Sequence, residues 1–198
     1  MASNPDRATT LREDAWNSAL TLFGTARLFE RRADSLKARL TWLKVVGLVL
    51  PLLVGGAVAT FGTASTWLGP LLVVTGILGV AQLVMNGVAL AMNWEDAYAN
   101  AKEAQLHNMR LSDEYKKFAE RASSDPSEAE RLQYERQLDL LGVEKLFREQ
   151  TDLRSSSISD KEKRFGMRSA LHQFDRKCAG CQKVPDPRNP SSCVVCGA

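Results

Sequence analysis

The chain has 198 residues, a formal net charge of +3 and a quarter of its residues charged. Such a balance excludes a strongly polycationic or polyanionic chain, but averaging an apolar centre with polar arms hides both. No phosphate loop, GxGxxG run or metalloprotease helix occurs, and His107 and His172 lie far apart with no nucleophile motif around them. An enzyme is not expected.

Residues 1–41 read as an N-terminal cytoplasmic helix. Thr10 with Glu13 has the spacing of a capping box that would start it. From there Ala15, Ala19, Leu22, Ala26, Phe29, Ala33, Leu36, Leu40 and Leu43 step by four and three, the seam of a heptad repeat. The first hydrophobic run starts only after this polar helix, so no secretory signal is expected. Alanine follows Met1, so neither is myristoylation.

Between Lys44 and Glu95 there is no charge at all, from Val45 to Trp94. A bilayer crossing needs about 20 apolar residues per helix. Two spans, 42–61 and 70–92, fit within a hairpin at 42–94, with the small residues from Gly62 to Pro70 as its turn. Trp42, Trp67 and Trp94 fall at the water boundaries, where an amphipathic ring is favoured. The alternative is a buried soluble helical hairpin, but little else in the chain is apolar enough to cover it. Arg31, Arg32, Lys37, Arg39 and Lys44 flank the first span, and the loop between spans is uncharged. The expected location is therefore the cell inner membrane, multi-pass, with both termini cytoplasmic.

The second span carries a polar stripe, Thr75, Gly79, Gln82, Asn86, Ala89 and Asn93, again stepping by four and three. Such groups avoid lipid tails and must face protein or water. Two readings stand: interhelical bonds made by Gln82 and Asn86 across protomers, or a pore lined by the stripe in an oligomer. Gly55, Ala59, Gly87 and Ala91 add small-residue pairs that permit close approach.

Residues 95–150 continue as cytoplasmic helices. Ala97, Ala101, Ala104, Asn108, Leu111, Tyr115, Phe118 and Ala122 repeat the seam, so the two arms are expected to pack antiparallel. So alanine-rich a seam is weak, which implies extra helices from other protomers, and Asn108 either fixes register or faces solvent. A further helix is expected from Asp125-Pro126-Ser127-Glu128 to near Gly142, with 143–150 as a short continuation. Residues 125–152 are net acidic and 154–188 net basic, with Ser155-Ser156-Ser157 as a flexible joint.

The tail, 151–198, opens with a capping box at Ser159 and Glu162 that starts a helix to about Phe174. Arg164, Arg168 and His172 fall at i, i+4 and i+8, a basic face suited to a phosphate-bearing ligand or an anionic headgroup, or more ordinarily to solvent or to pairing with the acidic helix at 125–152. Nucleic acid is not expected as a partner, since the tail lacks aromatic platforms. Cys178-x2-Cys181, eleven residues, then Cys193-x2-Cys196 fits four thiolates around a structural Zn2+, with Gly180 and Gly197 easing the turns and Phe165, Leu171 and Phe174 packed behind. A closed four-thiolate site leaves no position for water and should catalyse nothing. The fold class is thus an all-α membrane protein: a transmembrane hairpin, long antiparallel cytoplasmic helices and a small zinc knuckle.

This cysteine spacing, following a two-span hairpin with helical arms, resembles the bacterial mobilome CxxCx(11)CxxC proteins. Residues 10–123 are similar in layout to the SLATT family of two-span effectors. The resemblance implies antiviral defence: an inner-membrane effector that oligomerises on a cyclic nucleotide made by a neighbouring cyclase and impairs membrane integrity, as Pycsar and CBASS effectors do. No cyclic-nucleotide-binding β-barrel accompanies it here. The alternative is a membrane-anchored scaffold whose zinc tail docks a partner protein.

Overall fold

The computed structural model describes residues 5–61, 68–122, 126–155 and 157–197. Among them are five helices and no strand: α1 (Pro5–Phe61), α2 (Leu68–Ala91), α3 (Trp94–Arg121), α4 (Glu128–Ser155) and α5 (Asp160–Gln173). The chain divides into two compact units, one of 1–31 with 100–198 and one of 32–99. Trp67 and most of the inter-span turn lie outside the described residues.

Several helix boundaries differ from expectation. Thr10 lies inside α1, which already runs at Pro5, so the Thr10–Glu13 pair does not start it. α4 begins at Glu128, not Asp125, because Ser127 and Glu130 form the box: the Ser127 N–H donates to Glu130 Oε2 at 2.9 Å. Nor does α4 stop at Gly142, where one glycine is a modest helix penalty and a side chain would meet only open space. Ser155 is its last residue, and Ser156 lies outside the described residues. The capping box at Ser159 and Glu162 is present as expected.

In the larger unit, the seam residues Ala15, Ala19, Leu22, Leu111, Tyr115, Phe118 and Ala122 form one buried cluster, joined by Ala119. Its remaining cover comes from the chain's own α4 and α5, through Leu141, Tyr134, Leu138 and Phe174. Alanines let the helix backbones close up, and Ser112 Oγ donates to the Ala19 carbonyl at 2.7 Å. The expectation that other protomers must fill this seam is therefore not required within the unit. Burial pushes the Tyr115 hydroxyl up to about 12, with Glu149 and Glu144 adding to the effect.

Asn108 is buried and settles the α3–α4 register. Its Nδ2 donates to Asp152 Oδ2 at 2.7 Å and to the Ala104 carbonyl at 2.8 Å. Arg148 grips the other carboxylate oxygen through Nε and Nη2 at 3.2 and 3.1 Å. A polar cluster of this kind fixes one alignment because any slip strands buried charge.

The smaller unit holds two helical segments long and apolar enough to cross a membrane. Their Leu, Val and Ile side chains are largely exposed, including Leu48, Leu52, Leu83 and Leu90. The half-buried positions of α2 are Thr75, Gly79, Gln82 and Ala89, part of the expected stripe, whereas Asn86 and Asn93 are exposed. Of the half-buried positions, Gln82 and Ala89 line one cavity together with Leu43 and Gly47 of α1.

A candidate four-cysteine metal centre

After α5 the chain turns at Phe174 and Asp175, the latter in the left-handed region at φ 49°. Each CxxC pair then closes a turn in the same way. The Gln182 N–H donates to the Cys178 carbonyl and the Gly197 N–H to the Cys193 carbonyl, both at 2.8 Å. Inside each turn a backbone N–H points at the first sulfur: Gly180 to Cys178 Sγ and Val195 to Cys193 Sγ, both 3.4 Å. The two knuckles are thus local repeats of one device.

The glycines act through space rather than backbone freedom. A Cβ at Gly180 would lie 3.1 Å from Cys193 Sγ, and one at Gly197 would overlap the Ser191 carbonyl. The left-handed residue of the first knuckle is Gln182, at φ 57°.

The four sulfurs lie within 4.8 Å of one another. Cys178 and Cys193 stand 3.8 Å apart, Cys181 and Cys196 3.7 Å. A disulfide would need about 2.05 Å. Zinc at about 2.3 Å from each of four thiolates requires sulfurs roughly 3.8 Å apart. Those edges match, so the residues fit a tetrahedral thiolate-bound metal. Cys178, Cys181, Cys193 and Cys196 would hold it, and its chemistry there is to cross-link the two knuckles.

Electrostatics point the same way. Backbone N–H groups of Cys196 and Val195 lower the Cys193 thiol to about 6. Burial raises Cys196 to about 12, and the adjacent thiols add to it. Four thiols this close cannot all ionise alone, and a divalent cation removes that obstacle.

Helix α5 supplies the floor. Leu171 packs with Cys178 and Cys196, flanked by Met167 and by Leu20 of α1. Of the expected backing residues only Leu171 does this. Phe174 instead stacks edge-on against Trp16 and Phe23 at 6.0 and 5.7 Å, and Phe165 lies beneath the Arg31 guanidinium. α5 reaches α1 through Gly24 and Gly166, where a Cβ on Gly166 would fall 2.6 Å from the Gly24 carbonyl. Neither glycine carries a sequence pattern that announces this contact. Ser191 was likewise missed: its Oγ accepts from the Cys193 N–H at 3.3 Å, a side-chain turn signalled by a serine two residues before a knuckle. Asp186 orders the intervening loop by accepting from the Arg188 N–H and Asn189 Nδ2, both at 2.8 Å, and these bonds hold its carboxyl below the usual range.

The three members of the expected basic face differ in exposure. His172 is exposed, Arg164 is half-buried and Arg168 is only 6% exposed, at the wall of a cleft of about 580 Å³ that Cys181, Cys193 and Cys196 also line.

The apolar unit carries the other candidate residues. Gln82 Nε2 reaches the Leu43 carbonyl at 3.5 Å within the same chain. Gly47 makes this reach available, since a Cβ there would sit 2.5 Å from Nε2. Thr75 donates back to Leu71 at 2.8 Å, and Asn86 is exposed beside a cavity of about 460 Å³. Asn93 sits in the left-handed turn between α2 and α3 at φ 48°, and its carbonyl accepts the Ala97 N–H at 2.9 Å. Trp94 lies under the Arg39 guanidinium at 5.6 Å, while Trp42 is exposed.

No curated protein and no solved structure matches this chain. A family model described as the mobilome CxxCx(11)CxxC protein matches residues 12–198, taking in both apolar helices as well as the four cysteines. The chain therefore belongs to the mobilome CxxCx(11)CxxC protein family.

Proposed function

We propose that this protein is an inner-membrane effector of a bacterial antiviral system. On this reading a cyclic-nucleotide signal acts on the cytoplasmic helices and tail, and the hairpins of an oligomer then impair the membrane. The observation that carries the membrane part is the exposure of nearly every large apolar side chain of α2, and of the matching stretch of α1. Water is a poor solvent for so large an apolar surface, and a bilayer is a good one. Both termini lie in the cytoplasm on this reading, because the charge-free loop is the easier segment to translocate.

The signalling part rests on the resemblance to two-span effectors. Arg164 and His172, with Lys161 and Lys163, form the accessible basic surface for a phosphate-bearing messenger. The messenger shifts the assembly only through unequal affinity for its resting and active forms. No catalytic step is assigned, and the metal centre serves as structure. The test is expression with the neighbouring cyclase active, read with a membrane-potential dye. Depolarisation is expected; intact potential with the signal present would reject the effector reading.

One observation favours the second reading, a membrane-anchored scaffold. Gln82, the strongest polar group of the stripe, already has a partner inside its own hairpin. If the hairpin only tethers, Gln82→Leu and Asn86→Leu leave function intact while Cys178→Ser abolishes it.

A further inference from the structure

Arg168 poses an unsolved charge. Its side chain is 94% removed from water, and its Nε and Nη1 are buried without a hydrogen-bond partner. A guanidinium does not shed its proton, so burial must be met by a negative charge or by acceptors. No carboxylate forms an ion pair with it among the described residues. Asp186 shares the same cleft, but its two oxygens are committed to Arg188 and Asn189. The Phe165 ring, 5.8 Å from Cζ, polarises toward the cation without neutralising it.

The missing charge lies across the cleft. Four thiolates around a divalent ion leave two net negative charges, which neighbouring N–H groups and cations must offset. Backbone donors serve Cys178 and Cys193, the first sulfur of each knuckle. Cys181 and Cys196 receive no backbone N–H among the described bonds, and Ser191 Oγ stands 4.0 Å from Cys196 Sγ. Arg168 lines the cleft with these very residues and is one helical position from Met167 and three from Leu171, both packed on the cluster.

We infer that Arg168 is the counter-ion of the metal–thiolate centre, donating to sulfur on the Cys181–Cys196 side once all four cysteines are ionised. This goes beyond the effector reading and is independent of it; it rests only on the cysteines holding a divalent metal. It assigns a partner to the buried donors and to the two thiolates the backbone leaves bare. It also takes Arg168 out of the messenger-binding set.

The test uses the full-length chain in detergent micelles, with Zn2+ alone as probe. Affinity is read by competition with a chelator for Arg168→Met, Arg168→Lys and Arg164→Met, after each is compared with wild type for metal-free helicity. Arg168→Met should weaken binding at least tenfold, Arg168→Lys by no more than about threefold, and Arg164→Met not at all. Unchanged affinity in Arg168→Met overturns the inference, as does equal loss in the lysine variant or in Arg164→Met. Should Arg168→Met fail to fold, the Arg168 Nε–H resonance of the wild-type chain decides. Metal loading must shift it and slow its exchange with water; an unmoved signal overturns the inference. A wild-type chain that takes up no metal would instead remove the metal centre itself.

Discussion

Gly166 and Gly24 meet where no side chain fits, and a Cβ at Gly166 would press on a backbone carbonyl that cannot step aside. Gly166→Val should therefore push α5 off α1 and cost about 1–3 kcal/mol or more, seen as a fall in the thermal midpoint. Gly142→Ala, where the added Cβ meets only open space, should raise stability by about 0.5–1 kcal/mol in the same assay. Tyr115 supplies a pH test. Its pKa is raised from 10.0 to about 12, so the folded state holds its proton more tightly than the unfolded chain. The stabilisation is complete below pH 10 and is lost as pH rises toward 12. Tyr115→Phe should flatten that alkaline limb of the unfolding curve; an unaltered limb would exclude Tyr115 as its cause. These contacts explain what a single sequence conceals. Alanine and leucine seams announce themselves by period, whereas Gly24, Gly47 and Gly166 act by absence, and no spacing marks a missing Cβ.

The α4 helix shows how far local signals reach. Its start is displaced from the expected one because two overlapping cap patterns compete, and Ser127 with Glu130 makes the better one. Its length through Gly142 follows from tertiary contacts: Asp152 lies beyond that glycine and accepts from Asn108, with Arg148 on its other oxygen. Asp152→Ala leaves Arg148 only the exposed Glu103, at 3.5 Å, and should cost about 3 kcal/mol, more than Asn108→Leu. Equal small effects in chemical denaturation would show that the cluster does not hold the register. The seams on α1 and α3 and the cap of α5 were readable outright, because heptad period and the Ser159–Glu162 box are properties of a dozen neighbouring residues. What filled those seams was not readable, since four helices of one chain and several protomers satisfy the same pattern.

Taken as a whole, the molecule combines a metal-ready knuckle of fixed sulfur geometry with two helices that offer water little but hydrocarbon. The cysteine spacing gave away the first, and the charge-free stretch the second. The contact of Gln82 with α1 depends on the missing side chain of Gly47 and is visible only once the helices are placed. Removal of metal should loosen 176–197 while the α1–α3 core keeps its helicity, because the core cluster of Leu22, Leu111 and Phe118 contains no cysteine. Chelation followed by circular dichroism and limited proteolysis checks this; global loss of helix on chelation would contradict it. The most direct measurement is phase separation of the full-length chain in a clouding detergent. If α2 and the apolar half of α1 lie in lipid, the protein enters the detergent-rich phase and stays there at high salt. Recovery in the aqueous phase as a folded, monodisperse species would contradict the membrane reading.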